Sequence, residues 1–251
     1  MLKHPILSLI YIYINIYMYQ IAHRGYCDLH KDNTMAAFQA AIDHNFKMIE
    51  LDIVLTKDNE IIVYHDTHIG DNLVRNLNHT EIVALDADII TIEQFFTEID
   101  HNKTSIYLDL KGDEFICIYL HKFLSNLKNI RNILIGSFNT LSLERLHGYS
   151  RLYNLGLITE NTLNNDVLEY FVKKYNLAFV SFHWTALNHK SIRFLHLKSV
   201  NVFTYTCKNE SIRKFMCDYD LDGIVTNYKI SYEASSDESK NTLTESNSSS
   251  T

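Results

Sequence analysis

Short apolar runs alternate with longer amphipathic segments along most of this chain, and this alternation limits the folds open to it. The runs have the length and apolar content of buried strands, whereas the segments place apolar residues at helical spacing. Eight runs qualify as strands: 20–23, 48–54, 105–110, 133–137, 155–159, 178–183, 201–206 and 223–227. Seven segments qualify as helices: 33–44, 91–99, 114–127, 141–146, 166–175, 189–197 and 210–219.

Repeated strand–helix alternation predicts an α/β fold, and eight strands suit a closed (β/α)8 barrel of the TIM type. A shorter run at 60–65 follows a turn at 57–59 and predicts an extra β-hairpin strand after strand 2. An open doubly wound sheet is the alternative architecture. It fits less well, because no glycine-rich phosphate loop follows the first run.

The ends of the chain differ in composition from the middle. We expect an apolar extension at 1–19, one barrel domain at 20–230 and a tail at 231–251. The tail is rich in Ser, Thr and acids and has too little apolar surface to offset the entropy of ordering, so disorder is predicted. It contributes −3 of the net charge of −7. The body is therefore mildly acidic, and without a basic stripe no nucleic-acid partner is expected.

The apolar start leaves three interpretations open. Residues 6–22 carry no charge, and 10–17 alternate Ile with mostly Tyr, which favours a strand or loose extension over a membrane helix. Membrane association through residues 1–19 is the second interpretation, although the run is short for a span. A cleaved signal peptide is the third, and no small-residue cleavage site precedes His23.

Cysteine usage bears on the compartment. Cys27, Cys117, Cys207 and Cys217 show neither paired zinc spacing nor the pattern of a small disulfide scaffold. Buried thiols in a reducing compartment are the favoured interpretation. A cytoplasmic location is therefore preferred, with membrane association as the alternative.

Residues 23–66 contain several kinds of group that phosphate ester chemistry needs. His23 and His65 can move protons, and Arg24 can bind a phosphate. Glu50 and Asp52 lie two residues apart in an apolar strand, so both point to one face. Two charges on one face of a buried strand repel each other unless a cation joins them. A solvated edge strand that happens to carry two acids is the plainer alternative.

These and further residues form an ordered set of motifs that resembles the glycerophosphodiester phosphodiesterase family. Because several independent motifs occur in the family's order across roughly residues 20 to 228, the resemblance is specific. The motifs are His23-Arg24-Gly25, Asp32-Asn33-Thr34, Glu50-Leu51-Asp52, Thr56-Lys57-Asp58, His65-Asp66, Asp109-Leu110-Lys111 and residues 222–226.

The resemblance implies hydrolysis of glycerophosphodiesters to glycerol 3-phosphate and an alcohol. It implies that the two histidines, His23 and His65, act as general acid and base. Arg24 and Lys111 are expected to bind the phosphate. The metal ligands are expected to be Glu50, Asp52 and Asp109, because hard oxygen ligands suit one divalent cation, Mg²⁺ or Ca²⁺.

Four further residues are expected near this site. Tyr205 stands where the family has a tryptophan, and His183 ends a predicted strand, so both are candidates to border the pocket. Asn33 and Asp66 lie within the motifs and are expected to support the catalytic and metal-binding side chains.

Several residues depart from the family pattern. Asp32 and Asp109 each replace a Glu, which shortens the side chain by one methylene and keeps the charge. Asn227 replaces a late Asp, and Tyr228 replaces a Pro. Activity is still expected, although the shorter Asp109 suits the flexible shell of Ca²⁺ better than the strict octahedron of Mg²⁺.

Two other functions compete with a soluble phosphodiesterase. A lysophospholipase D-like enzyme acting on membrane lipids would use the apolar start and an open site. A non-catalytic barrel that binds phosphodiesters is the other, and the intact pair of His23 and His65 argues against it. The substrate head group and the oligomeric state stay open.

Overall fold

A computed structural model describes residues 18–230 of the chain. The predictions for residues 1–17 and for the tail at 231–251 lie outside the described residues. The strands are β1 (Tyr19–Ala22), β2 (Met48–Leu55), β3 (Ile61–Val63), β4 (His68–Ile69), β5 (Asn72–Leu73), β6 (Ser105–Leu110), β7 (Ile133–Ser137), β8 (Asn154–Thr159), β9 (Phe179–His183), β10 (Asn201–Cys207) and β11 (Gly223–Thr226). The helices are α1 (Met35–Asp43), α2 (His79–Leu85), α3 (Ile92–Glu98), α4 (Ile116–Ser125), α5 (Thr140–Tyr149), α6 (Asn165–Tyr175), α7 (His189–Leu197) and α8 (Glu210–Met216).

Eight parallel strands close into a barrel, which confirms the predicted fold. The strand order is β1-β11-β10-β9-β8-β7-β6-β2, and a further pairing of β1 with β2 closes the ring. That closing contact is short, since only Ile21 with Met48 and Ala22 with Ile49 are in register. The predicted hairpin strand is also present as β3, which pairs antiparallel with the last three residues of β2.

The helices begin where polar side chains can cap them. Thr34 accepts a hydrogen bond from a backbone N–H in the first turn of α1, and Asn164, Asn188 and Asn209 do so for α6, α7 and α8. Such caps satisfy N–H groups that have no partner within the helix. They also end the preceding loops at defined residues, so the loops that follow the strands keep a fixed shape.

An aromatic layer fills the barrel interior below its carboxyl end. The rings of Tyr107 and Phe179 meet edge to face with centroids 5.1 Å apart, and Phe203 packs on Phe179 at the same distance. A Cβ at Gly156 would lie 2.1 Å from the Phe179 ring, so only glycine leaves room for it. This buried apolar layer separates the polar carboxyl end of the barrel from its amino end.

The loop after β1 has an unusual backbone. Arg24, Gly25 and Asn33 all have positive φ, at 54°, 80° and 56°. A Cβ at Gly25 would lie 2.6 Å from the backbone carbon of Ala37 in α1. The glycine therefore lets the loop lie directly against the helix, and this contact fixes the position of Arg24.

Two other features bear on the sequence predictions. Within residues 18–230 no helix is both long and apolar enough to cross a membrane. All four cysteines lack a disulfide bond, with Cys117 and Cys207 buried and Cys27 and Cys217 partly buried.

Replacing Gly25 by Ala should destabilise the fold more than the same change at Gly112. Both residues have φ of 80°, but a Cβ at Gly112 meets nothing within 4 Å. Gly112→Ala should cost about 1–2 kcal/mol for the left-handed backbone alone. Gly25→Ala should cost a further roughly 1–3 kcal/mol, because the methyl group overlaps Ala37. Urea unfolding of both variants measures the difference, and equal losses would contradict the close contact.

Candidate active site

A cavity of about 660 Å³ opens at the carboxyl end of the barrel strands. Ligand sites of such barrels form at this end, because the loops that follow the strands converge there. Most of the residues predicted for the site line the cavity, although they come from distant parts of the sequence. They are His23, Arg24, Glu50, Asp52, His65, Asp109, Lys111 and Tyr205.

The three predicted metal ligands form one buried group. Glu50, Asp52 and Asp109 each offer a carboxylate oxygen, and these oxygens lie within 4.8 Å of one another. Asp52 and Asp109 are direct partners in the register of β2 and β6, which explains why residues 57 positions apart come together. The shorter side chain of Asp109 therefore still reaches the other two carboxylates.

The electrostatics of this group fit a cation. Burial, followed by repulsion from Asp52 and Asp109, raises the pKa of Glu50 well above its usual range. Burial also raises the pKa of Asp109 to about 7, despite the attraction of Lys111. One oxygen of Asp109, Oδ1, is buried without a hydrogen-bond partner. Hard carboxylate oxygens that repel one another suit Mg²⁺ or Ca²⁺.

Asp52 is the most strongly bonded member of the group. Its carboxylate forms ion pairs with Arg24 Nε at 2.9 Å and with Lys111 Nζ at 3.0 Å, and its Oδ2 accepts a hydrogen bond from Asn33 Nδ2 at 2.8 Å. Burial alone would raise the pKa of Asp52, but the two cations and the amide outweigh it and lower that pKa. The supporting role of Asn33 stays a prediction, and its amide lies against this carboxylate.

Arg24 ties the loop after β1 to this group. Its backbone N–H donates to Glu50 Oε2 at 2.9 Å, and its Nη1 donates to Asp32 Oδ2 at 2.8 Å. The guanidinium therefore lies between the Asp32 and Asp52 carboxylates. Asp32 was not predicted as a site residue, although its place in the motif Asp32-Asn33-Thr34 was a signal.

The two histidines have different partners. His23 Nδ1 lies 2.7 Å from Asn227 Oδ1, so Nδ1 carries the proton and Nε2 is free to accept one. Burial, followed by the charge of Arg24, lowers the pKa of His23 to about 4. His65 Nδ1 donates to Asp66 Oδ1 at 2.6 Å.

Sequence reasoning missed the role of Asn227, and the place of His183 at the border of the pocket stays a prediction. Asn227 was noted only as a departure from the family pattern, because nothing local shows that it meets a histidine 204 residues earlier. His183 is not among the residues that line the cavity; its Nδ1 bonds to Thr185 Oγ1, and its ring packs on Tyr205 at 5.5 Å. His183 is the last residue of β9, and its side chain caps the short turn at Trp184–Ala186 that follows.

Comparison with known proteins identifies the family of this chain. A model described as the glycerophosphoryl diester phosphodiesterase family matches residues 23–230. The chain belongs to this family. The Bacillus subtilis protein YhdW, which is named a putative glycerophosphodiester phosphodiesterase, is 30% identical to this chain over 237 residues. The match covers 84% of this chain and 95% of that protein. The resemblance read from the motifs is thus confirmed.

Solved structures share the barrel. A glycerophosphodiester phosphodiesterase from Thermotoga maritima superposes with a TM-score of 0.72 at 21% identity, covering 84% of this chain and 94% of its own. An Oleispira antarctica phosphodiesterase, in complex with the product sn-glycerol-3-phosphate, superposes with a TM-score of 0.75 at 17% identity. It covers 85% of this chain and 94% of its own. At these identities the likeness supports the fold.

Cation binding to this glycerophosphodiester phosphodiesterase family member should release protons. Below about pH 7 Asp109 holds a proton that must leave before its oxygen can bind a cation. Affinity for Mg²⁺ or Ca²⁺ should therefore rise with pH, by about 30-fold from about pH 5.5 to about pH 8 if one proton leaves. Calorimetry in buffers of different ionisation enthalpy counts the protons.

Variants of Asp109 test the same linkage. Asp109→Asn should weaken cation binding and lower the number of protons released, whereas Asp109→Glu should retain both. Equal affinity of the unmodified protein at the two pH values would contradict the assignment of the carboxylates as ligands.

Proposed function

We propose that this protein hydrolyses glycerophosphodiesters to glycerol 3-phosphate and an alcohol, using a divalent cation and acid–base catalysis by His23 and His65. One observation carries the proposal. The cavity is lined by both histidines, by a buried group of three carboxylates and by the cationic side chains of Arg24 and Lys111. A phosphodiester is an anion that resists attack, so its hydrolysis needs positive charge and proton transfer at one place.

The fixed cations have the first role. Arg24 offers a forked donor to the non-bridging phosphate oxygens, and Lys111 adds a point charge beside it. Both are held in place by Asp52, at 2.9 and 3.0 Å, so little reorganisation is needed when substrate binds. A divalent cation held by Glu50, Asp52 and Asp109 would supply further positive charge to the phosphate.

The histidines have the second role. His23 is neutral at neutral pH, because its pKa is lowered to about 4, so its Nε2 can accept a proton. In the proposed first step the glycerol 2-hydroxyl gives its proton to His23 while its oxygen bonds to phosphorus. The bond from phosphorus to the alcohol oxygen breaks, and His65 donates a proton to that oxygen. Water then opens the cyclic phosphate with the roles of the histidines reversed.

A lysophospholipase D-like activity remains the second candidate. Phe138, at the edge of the cavity, is 44% exposed, and Phe171 and Leu163 add apolar lining. These side chains could contact an acyl chain. Purified protein given glycerophosphocholine and a lysophospholipid side by side, with Mg²⁺ or Ca²⁺, separates the two. Turnover of the lipid alone would favour the second candidate, and turnover of neither would exclude both.

The two histidines should each be required. His23→Ala and His65→Ala should each lower kcat by roughly 10² to 10⁴, with cation affinity largely retained. His30→Ala is the matched control, because His30 is exposed and lies outside the cavity lining, and it should keep normal kcat. Near-normal activity of either site variant would refute the acid–base assignment.

Asn227 should set the pH at which His23 works. Asn227→Asp places a carboxylate beside Nδ1 and so favours the imidazolium, which should raise the pKa of His23 by about one to two units. Because His23 must be unprotonated to accept a proton, the acidic limb of the pH–rate profile should move to higher pH. Asn227→Ala should lower kcat without that upward movement. Superimposable profiles of Asn227→Asp and the unmodified enzyme would refute the contact.

A further inference from the structure

The cavity extends well beyond the carboxylate group. Its far side is formed by residues that follow β7 and β8 and by the end of β10. Phe138, Glu160 and Tyr205 contribute large aromatic or charged side chains to this side. Glycerol 3-phosphate would fill only part of a volume of about 660 Å³. The remainder is available to the alcohol of the diester.

Two aromatic rings form a corner in this part of the cavity. The rings of Phe138 and Tyr205 have centroids 6.0 Å apart and planes at 88°. Lys111 Nζ lies 5.5 Å from the Phe138 centroid, and the same atom is bonded to Asp52 and Asp109. The corner is therefore adjacent to the place where the phosphate would bind. A substituent of the alcohol that lies a few bonds from phosphorus could contact both rings.

A carboxylate without an ion pair stands beside this corner. No described residue forms an ion pair or a hydrogen bond with Glu160, although it lines the cavity. The Tyr205 hydroxyl is buried without a hydrogen-bond partner. Thr159, Phe182 and Thr204 are in register across β8, β9 and β10, so Glu160 and Tyr205, each one residue further along, lie at the same level of the barrel end. Two ring faces and a carboxylate are the surroundings that a quaternary ammonium prefers.

Acids on the other side of Arg24 are already engaged. A polar recess of about 230 Å³ there contains Asp32, Asp66 and Asp86. Asp32 bonds to Arg24, Asp66 to His65 and Asp86 to Lys31. This recess suits the small polar glycerol, and its acids are less available to a cationic group than Glu160.

We propose that Glu160, Phe138 and Tyr205 form the subsite for the alcohol and select diesters whose alcohol carries a quaternary ammonium or a protonated amine. This proposal rests on the proposed function. The ammonium would lie against the Phe138 and Tyr205 rings with Glu160 neutralising its charge. Lys208 also lines the cavity, but Glu160 is the acid among the lining residues apart from Glu50, Asp52 and Asp109, so the positive end of the alcohol belongs at Glu160.

A competition assay with the full chain and Mg²⁺ or Ca²⁺ tests the subsite. Glycerophosphocholine and glycerophosphoglycerol differ in the charge of the alcohol and share the glycerol phosphate. The ratio of their kcat/KM values is the readout. Glu160→Gln and Phe138→Leu should each lower the preference for the choline diester by about three- to tenfold, because kcat/KM falls more for the choline diester than for glycerophosphoglycerol. Glu98→Gln, an exposed acid outside the cavity lining, is the matched control and should leave the ratio unchanged.

The possible results separate this proposal from the proposed function. Equal use of both diesters by the unmodified enzyme would overturn the subsite and leave the phosphodiesterase intact. An unchanged ratio in Glu160→Gln, or an equal loss on both diesters, would also overturn it. Hydrolysis of neither diester would overturn the proposed function and the subsite with it.

Discussion

The bonds around Asp52 hold the polar end of this barrel together. A carboxylate that is almost fully buried is stable only if partners replace the water it has lost. Arg24 and Asn33 do so from the single loop between β1 and α1, and Lys111 does so from the residue after β6. Asp52 is the carboxylate that Arg24 and Lys111 share, since Arg24 otherwise pairs with Asp32 and Lys111 with Asp109.

Charge balance explains why the group is poised for a further cation. Three carboxylates face two fixed positive charges, and burial together with repulsion between the carboxylates raises the pKa of Glu50 and of Asp109. The aromatic floor of Tyr107, Phe179 and Phe203 keeps water from entering the barrel below and screening these charges. The aromatic layer lowers the local dielectric constant, and this strengthens the electrostatic interactions among the carboxylates, Arg24 and Lys111 above it.

The sequence predicted the barrel strands well, because each is a short apolar run bounded by polar turns. The predicted strand at 105–110 matches β6 at both ends, and the hairpin strand at 60–65 appears as β3. Two elements were not predicted: α2 and the β4–β5 hairpin lie in residues 66–90, where the strands have two residues each and no periodicity can be read. A two-residue strand is defined by its partner and not by its own side chains.

For the site, motif order located the carboxylates and both histidines within one cavity, whereas partners distant in sequence could not be foreseen. Asn227 beside His23 and Glu160 beside Tyr205 depend on the barrel closing, and neither pair has a local signal. His183 was expected at the pocket because it ends a strand, but a strand end does not determine which way the next side chain turns. Tyr205, one strand further, lines the cavity instead.

The hydrogen bond from His23 to Asn227 joins residues 204 positions apart. During synthesis the histidine, the arginine and all three carboxylates leave the ribosome long before Asn227 does. A chain cut short just before this asparagine would still contain every carboxylate, but its imidazole would lack the partner that sets its tautomer. The active site can therefore form only after the chain has been synthesised through Asn227, because the first and last strands of the barrel must pair before His23 is oriented.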